Sequence, residues 1–258
     1  MNRRLAIAGV VLAGTLSLAG CGLADDAAAP AAPTTAVSAP PVVSAEAELA
    51  AAATKLGEDT ARIDTDLAGT MSMTGVVDPA ARKASMTMTL GTSATASTIR
   101  IRKVGDDMYL KIEGALSRIA GGGKWLHLDV DKVQAGSTFD IMPGADPTGA
   151  RTLARAVTAV RREGGHGFVG MLDMTKARTV DKNALKALGA EATTVPFTAT
   201  TDDQGRLTSM NVDMSGVAAG MGTLKTRYSD FGTPVDVRKP PAAQVTEAPD
   251  RLTGLLNA

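Results

Sequence analysis

The sequence predicts an α+β domain carried by a one-sided antiparallel sheet. Three features lead there. Between Asp66 and Phe231 apolar residues recur mostly at every second position, Gly, Pro and Asp clusters separate the alternating runs, and stretches of helical period precede and interrupt them. One greasy and one wet face per strand is what an antiparallel sheet covered on a single side requires.

Arg3 and Arg4, the apolar run Leu5 to Leu18 and the small residues Ala19 and Gly20 form the three parts of a secretory signal. The run is shorter than the about 20 residues that cross a bilayer core, so it is expected to be removed. Cys21, the only cysteine, follows directly on Leu18-Ala19-Gly20. This arrangement resembles the bacterial lipobox, which implies a diacylglycerol on the Cys21 sulfur, cleavage just before it and acylation of the new amine. Two acyl chains anchor stably where one binds marginally. Residues 1–20 are thus expected as a lipoprotein signal peptide, and Cys21 as the lipidation site holding the protein on the extracytoplasmic face of the cell membrane. Residues 21–44, almost all Ala, Pro, Ser, Thr and Val without an aromatic, cannot bury enough apolar surface to offset their ordering entropy. They read as a tether with extended polyproline character.

The folded domain is expected over residues 45–245. Glu46 and Glu48 suit the positive end of a helix, and Leu49, Ala53, Leu56, Thr60 and Ile63 recur at three- and four-residue steps, which predicts one amphipathic helix of about four turns. From Asp66 the period becomes 2. Met71 and Met73, then Met86, Met88 and Leu90, alternate with Ser and Thr about the turn residues Val77-Asp78-Pro79-Ala80. Ile99 and Ile101 continue the pattern; after Gly105-Asp106 it resumes at Met108, Leu110 and Ile112, and again at Leu126, Leu128 and Val130 against Trp125, His127 and Asp129.

A second helix is predicted from Asp146-Pro147 through the stripe Leu153, Val157 and Val160 to Gly164-Gly165, and a shorter one over residues 181–188. Strands are expected at 166–175, 193–201, 206–214 and 221–231, with Asp202-Asp203-Gln204-Gly205 as a hairpin. Pro240-Pro241 is expected to end the sheet. Residues 246–258 read as a loose tail with a possible helical turn at Leu252 to Leu256.

Composition narrows the function. The chain holds 27 basic and 27 acidic residues; losing Arg3 and Arg4 leaves a mature charge of −2, which suggests no nucleic-acid partner. With Cys21 acylated no thiol remains for a disulfide, a metal or nucleophilic catalysis. His127 and His166 are the only histidines, read as surface and loop residues. Neither a zinc-protease motif nor a nucleophile elbow is present. Gly121-Gly122-Gly123-Lys124 lacks the spaced first glycine of a phosphate loop, and Asp129, Asp131, Asp202 and Asp203 lack the spacing of a calcium loop. Neither an enzyme nor a cofactor is expected.

The order of segments carries a resemblance. After the lipobox, tether and first helix come Val104-Gly105-Asp106-Asp107-Met108-Tyr109-Leu110-Lys111 and Lys124-Trp125-Leu126-His127-Leu128-Asp129. Beyond the central helices follow Val195-Pro196-Phe197-Thr198-Ala199-Thr200-Thr201 with its Asp202-Asp203-Gln204-Gly205 turn, then Tyr228-Ser229-Asp230-Phe231-Gly232-Thr233-Pro234-Val235 and Pro240-Pro241. Over roughly residues 46 to 248 this resembles the LppX/LprAFG family of bacterial lipoproteins, which share the fold of the LolA and LolB carriers. The resemblance implies a curved antiparallel β half-barrel with helices packed on its concave face. It also implies an apolar cavity between them that binds the acyl chains of lipids or glycolipids for carriage within the envelope. No short motif fixes the family's pocket residues.

On the apolar strand faces lie Met71, Met73, Met86, Met88, Met108, Leu110, Leu126, Leu128, Met210 and Met214. Methionine is flexible and polarizable, so these faces suit either a varied apolar ligand or an irregular core. The partners implied are the membrane through Cys21, a lipid or glycolipid, and an envelope transporter, with the domain a monomer. The alternative is a structural or regulatory envelope lipoprotein that holds a protein partner without lipid, with Trp125 in an exposed patch.

Overall fold

The structure is a computed structural model of the chain and describes residues 43–91, 96–119, 123–129, 150–176, 189–217 and 220–249. Ser44 opens the first helix, α1 (Ala45–Lys55), in extended conformation, with its side chain accepting a hydrogen bond from the Ala47 N–H at 3.2 Å. That satisfies one of the first-turn donors, and Glu46 and Glu48 lie at the positive end of the dipole. A meander follows: β1 (Ala61–Leu67), β2 (Met71–Asp78), β3 (Lys83–Leu90), β4 (Ser97–Val104), β5 (Asp107–Gly114) and β6 (Trp125–Asp129). Helix α2 (Ala150–Ala156) leads into a second run, β7 (Val157–Glu163), β8 (Gly167–Leu172), β9 (Val195–Thr201), β10 (Leu207–Asp213) and β11 (Thr223–Ser229), and the chain returns in β12 (Val245–Glu247).

Among the described residues all twelve strands form one sheet in the order β12-β6-β5-β4-β3-β2-β1-β11-β10-β9-β8-β7. Every pair is antiparallel except β12 on β6. β12 and β7 are the two ends and do not pair, so the sheet is open and the class is α+β.

Register aligns the alternating residues across this width. One row runs Ile112, Ile99, Met88, Met73, Thr65 through β5 to β1. It continues as Thr226, Met210, Ala199 and Phe168 through β11 to β8. Directly opposed residues share a face, so the apolar face is continuous over nine strands in this row alone. Both helices pack on it: Leu49 and Ala52 of α1, Leu56 directly after it and Ala156 of α2 join Phe168, Phe197, Leu207 and Met210 in the largest buried cluster. A second cluster gathers Ile99, Ile101, Met108, Leu110, Ile112, Leu126 and Leu128, and a small third one joins Ala61, Val77 and Ala84. The opposite face carries polar pairs, such as Arg62 donating to Asp64 at 2.9 Å and Arg100 donating to Glu113 at 3.0 Å.

Three expectations are corrected. The first helix ends at Lys55, and Ile63 belongs to β1, not to a fourth turn. The Leu56 and Gly57 N–H groups bond back three residues, which tightens and stops the helix. Thr60 and Ile63 fall at helical steps from Leu56 by coincidence, whereas pairing with both β2 and β11 fixes the stretch as strand. The second helix likewise stops at Ala156; Val157 and Val160 lie in β7, and Gly164-Gly165 is the turn of the β7–β8 hairpin rather than a helix stop. Val157 and Thr158 are β-branched and favour that state. Finally, Pro240-Pro241 does not end the sheet and residues 246–247 are not loose, because a short helical turn at Ala242–Gln244 leads into β12 on the edge of β6. Residues 1–42, with Cys21 and most of the tether, lie outside the described residues, as do Asp131, Asp146-Pro147, the 181–188 helix and Leu252 to Leu256.

Candidate functional site

The apolar face is not covered evenly. On the α1 and α2 side, and again across β4 to β6, its residues are closed off: Leu110 is 0 % exposed, Leu126 1 %, Met108 2 % and Leu128 3 %. Between these regions Met71, Met73, Met86, Met88, Leu67 and Leu90 are all half-buried. Met88 and Leu90 lean on the β4–β6 cluster and Met86 on the small one, while Met71 and Met73 belong to none of the three. Met73 opposes Met88 and Met71 opposes Leu90, which makes a two-strand strip of thioethers and leucine. Gly75 lets β3 pack closely there, since a Cβ would lie 2.6 Å from the Ser85 carbonyl oxygen and 2.9 Å from Cγ of Met86.

Polar groups on this face are few and neutralised where geometry is given. The Thr65 and Thr226 hydroxyls bond each other at 3.2 Å. Tyr228, opposite Ile63, packs against the largest cluster, and burial pushes its hydroxyl up to about 12, so it stays uncharged in neutral solution. Lys103 is the buried cation of the face, 3 % exposed and opposite Met108. Among the described residues the strip itself presents thioether and leucine side chains. Each half-buried methionine keeps part of the about 1.5–3 kcal/mol that complete burial would add.

The ten residues expected to line a cavity thus separate by environment. Met108, Leu110, Leu126 and Leu128 sit together in buried core with Met88 at its margin, Met210 and Met214 lie under the helices, and Met71, Met73 and Met86 border the open strip.

A second group converges at the opposite face near β6. Trp125 and Tyr109 are each 6 % exposed there, packed on the face opposite the helices. Arg102 stacks on Trp125 at 4.7 Å from the ring centroid and donates at 3.4 Å to the Arg238 carbonyl oxygen, so the segment after β11 reaches this end of the sheet. A protein-docking role for an exposed Trp125 loses its basis.

His127 lies on the same face with both ring nitrogens engaged. Nε2 is 2.8 Å from Asp107 Oδ1, and Nδ1 is 2.9 Å from Glu247 Oε1. Lys239 donates to Asp107 at 2.5 Å. Burial pulls the imidazole down, but the bonds and charges of Asp107 and Glu247 more than offset it, and the net shift is upward. Asp107 is held below the usual carboxylate range by Lys239 first and His127 second. Because the two carboxylates sit on opposite sides of the ring, they do not converge on one point. Among the described residues no three His, Cys, Asp or Glu side chains form a metal site.

A surface pocket of about 300 Å³ lies where α1 meets the β7–β8 and β9–β10 hairpins. Its charges are already satisfied: Arg162 pairs with Glu48, Lys55 bonds the Gln204 carbonyl oxygen, and His166 stands 3.4 Å from Asp203. Asp202 caps its hairpin by accepting from the Gln204 and Arg206 N–H groups, as turn chemistry predicts.

Fold and site together define an α+β protein with one open sheet and a partly covered apolar face. In comparisons with known proteins, no family model and no curated sequence matches the chain. Among the described residues no helix is long and apolar enough to cross a membrane.

Proposed function

We propose that this is a membrane-anchored extracytoplasmic lipoprotein that lays acyl chains of a lipid or glycolipid along the methionine strip and carries them within the envelope. The half-buried strip between two buried regions of one apolar face carries this reading. Flexible thioethers adapt to chains of varied shape, and among the described residues the strip is lined by methionine and leucine. The resemblance to the LppX/LprAFG lipoproteins supports it from the sequence. In this reading the open sheet curves as a half-barrel, α1 and α2 lie on its concave side, and Cys21 with the tether keeps the strip near the membrane surface. The domain acts as a monomer, without enzymatic activity, and receives or passes its ligand through an envelope transporter.

The test is organic extraction of the protein purified from its native membrane, followed by mass spectrometry. Stoichiometric lipid beyond the anchor supports the reading. A lipid-free protein that instead cross-links to one envelope protein in membranes favours a structural or regulatory role and overturns it. Cys21→Ser is expected to release the protein from the membrane fraction or leave its signal uncut; membrane retention of a processed variant at the wild-type level would contradict the anchor.

A further inference from the structure

We propose that His127 is a protonation-dependent latch that fastens β12 and the segment preceding it to the edge of the sheet. The observations are independent of any ligand. After β11 the chain leaves the sheet at its eighth position and rejoins it at the first, as β12. It is pinned at the start, where the Gly232 N–H donates to the Thr60 carbonyl oxygen at 3.0 Å and the Thr60 hydroxyl donates to the Thr233 carbonyl oxygen at 2.7 Å. It is pinned again at the far end by buried Val237 and Pro240, by Arg102 on the Arg238 carbonyl oxygen and by Lys239 on Asp107. Beyond Pro240 the hold among the described residues is three residues of parallel pairing, one further backbone bond from the Ala248 N–H to the His127 carbonyl oxygen at 3.0 Å, Ala248 against the β4–β6 cluster, and the His127 side chain on Glu247.

The geometry demands an imidazolium. A carboxylate only accepts, and His127 presents one to each ring nitrogen, so both nitrogens must carry hydrogen for both contacts to be bonds. Neutral imidazole has one N–H and would turn a lone pair toward Asp107 or Glu247. The facing groups give the same sign. Asp107 and Tyr109 face the ring from β5, the rings of Tyr109 and His127 lying 5.2 Å apart; Glu247 faces it from β12. Lys239 stands behind Asp107 and beside the Tyr109 hydroxyl; Arg102 of β4 stacks on Trp125, Arg238 pairs with Asp236, and Asp129 of β6 is opposite Asp107 in register with an interaction of its own. Asp107 and Glu247 are balanced by Lys239 and His127 only when the ring is charged.

The direction with pH follows. A histidine titrating above its ordinary value stabilises the docked state below that value, and the contribution fades as pH rises through the shifted one. Asp107, held low by Lys239, stays ionised through the same range. The latch is thus closed below the ordinary histidine range and loosens as pH rises through the raised value.

Hydrogen–deuterium exchange of the full chain in detergent tests this, with uptake in the peptide covering residues 242–249 followed from about pH 6 to about pH 9 and corrected for intrinsic exchange. Protection of that peptide is expected to fall about three- to tenfold across the range, with a β9–β10 peptide unchanged. His127→Gln, which cannot charge, should give weak protection at both ends and a flat profile. Glu247→Gln, at a side chain 82 % exposed and so harmless to folding, should flatten it too. A flat wild-type profile, or either variant following the wild-type curve, would overturn the proposal.

Discussion

The double variant Met73→Asp/Met88→Asp is expected to lose bound lipid about tenfold or more relative to the wild-type protein while keeping its fold. The two side chains are direct cross-strand partners on β2 and β3, both half-buried. Solvent reaches them without ligand, so the carboxylates stay hydrated and their mutual repulsion costs the empty domain only about 0.2–1 kcal/mol. An acyl chain lying over the strip would strip water from both charges at a cost of a few kcal/mol, and each 1.4 kcal/mol is a tenfold loss of affinity. Met73→Leu/Met88→Leu, apolar and of similar volume, should retain lipid. Lipid per protein after extraction, with circular dichroism to check folding, reads the outcome; an aspartate variant that keeps its full lipid load would move the binding surface elsewhere on the sheet.

Leu110→Ala addresses the other part of the same face and is expected to destabilise the domain by about 3 kcal/mol, within the about 2–5 kcal/mol typical of buried leucine truncation. Leu110 is 0 % exposed and lies between Ile101 and Leu126 in register, so its removal leaves a hole that neighbours on three fixed strands cannot close. At about 2–4 °C per kcal/mol for a domain of this size, the melting midpoint should drop by roughly 10 °C. Urea unfolding provides the check. A loss under about 1 kcal/mol would mean that Leu110 faces a space a ligand can fill rather than packed core, and would extend the binding surface into β5 and β6.

Most of the sheet was legible because a period of 2 leaves a mark in sequence that no helix imitates over eight residues. The runs around Met86, Ile99, Met108, Leu126, Phe197 and Met210 all became strands with the apolar residue inward. The three strands that were missed share a cause. In β1 and β7 a few apolar residues also satisfy a helical step, and the decision falls to partners far away in the chain: Thr65 pairs with Thr226, and Val160 with Gly170 across a turn that looks equally like a helix stop. β12 is three residues long, too short for any period, and exists because β6 offers it an edge.

The candidate site divides in the same way. Which methionines face inward was readable from alternation. Which of them remain half-buried was not, because that depends on where α1, α2 and the β4–β6 cluster stop covering the face. The His127 group had no signal at all, since Asp107, His127, Lys239 and Glu247 have no common spacing and meet only because β5, β6 and β12 become neighbours.

By itself the sequence determined the class, an α+β domain on an antiparallel sheet with one apolar face, and the lone cysteine and Pro- and Ala-rich stretch that precede it. These follow from composition and local period, which are properties of short segments. The tertiary structure decided the order of the described strands, the extent of covered and uncovered apolar surface, and the meeting of Asp107, His127, Lys239 and Glu247. Each of these is a relation between residues tens to hundreds of positions apart, set by the summed free energy of burial and pairing across the whole sheet rather than by any stretch of chain read alone.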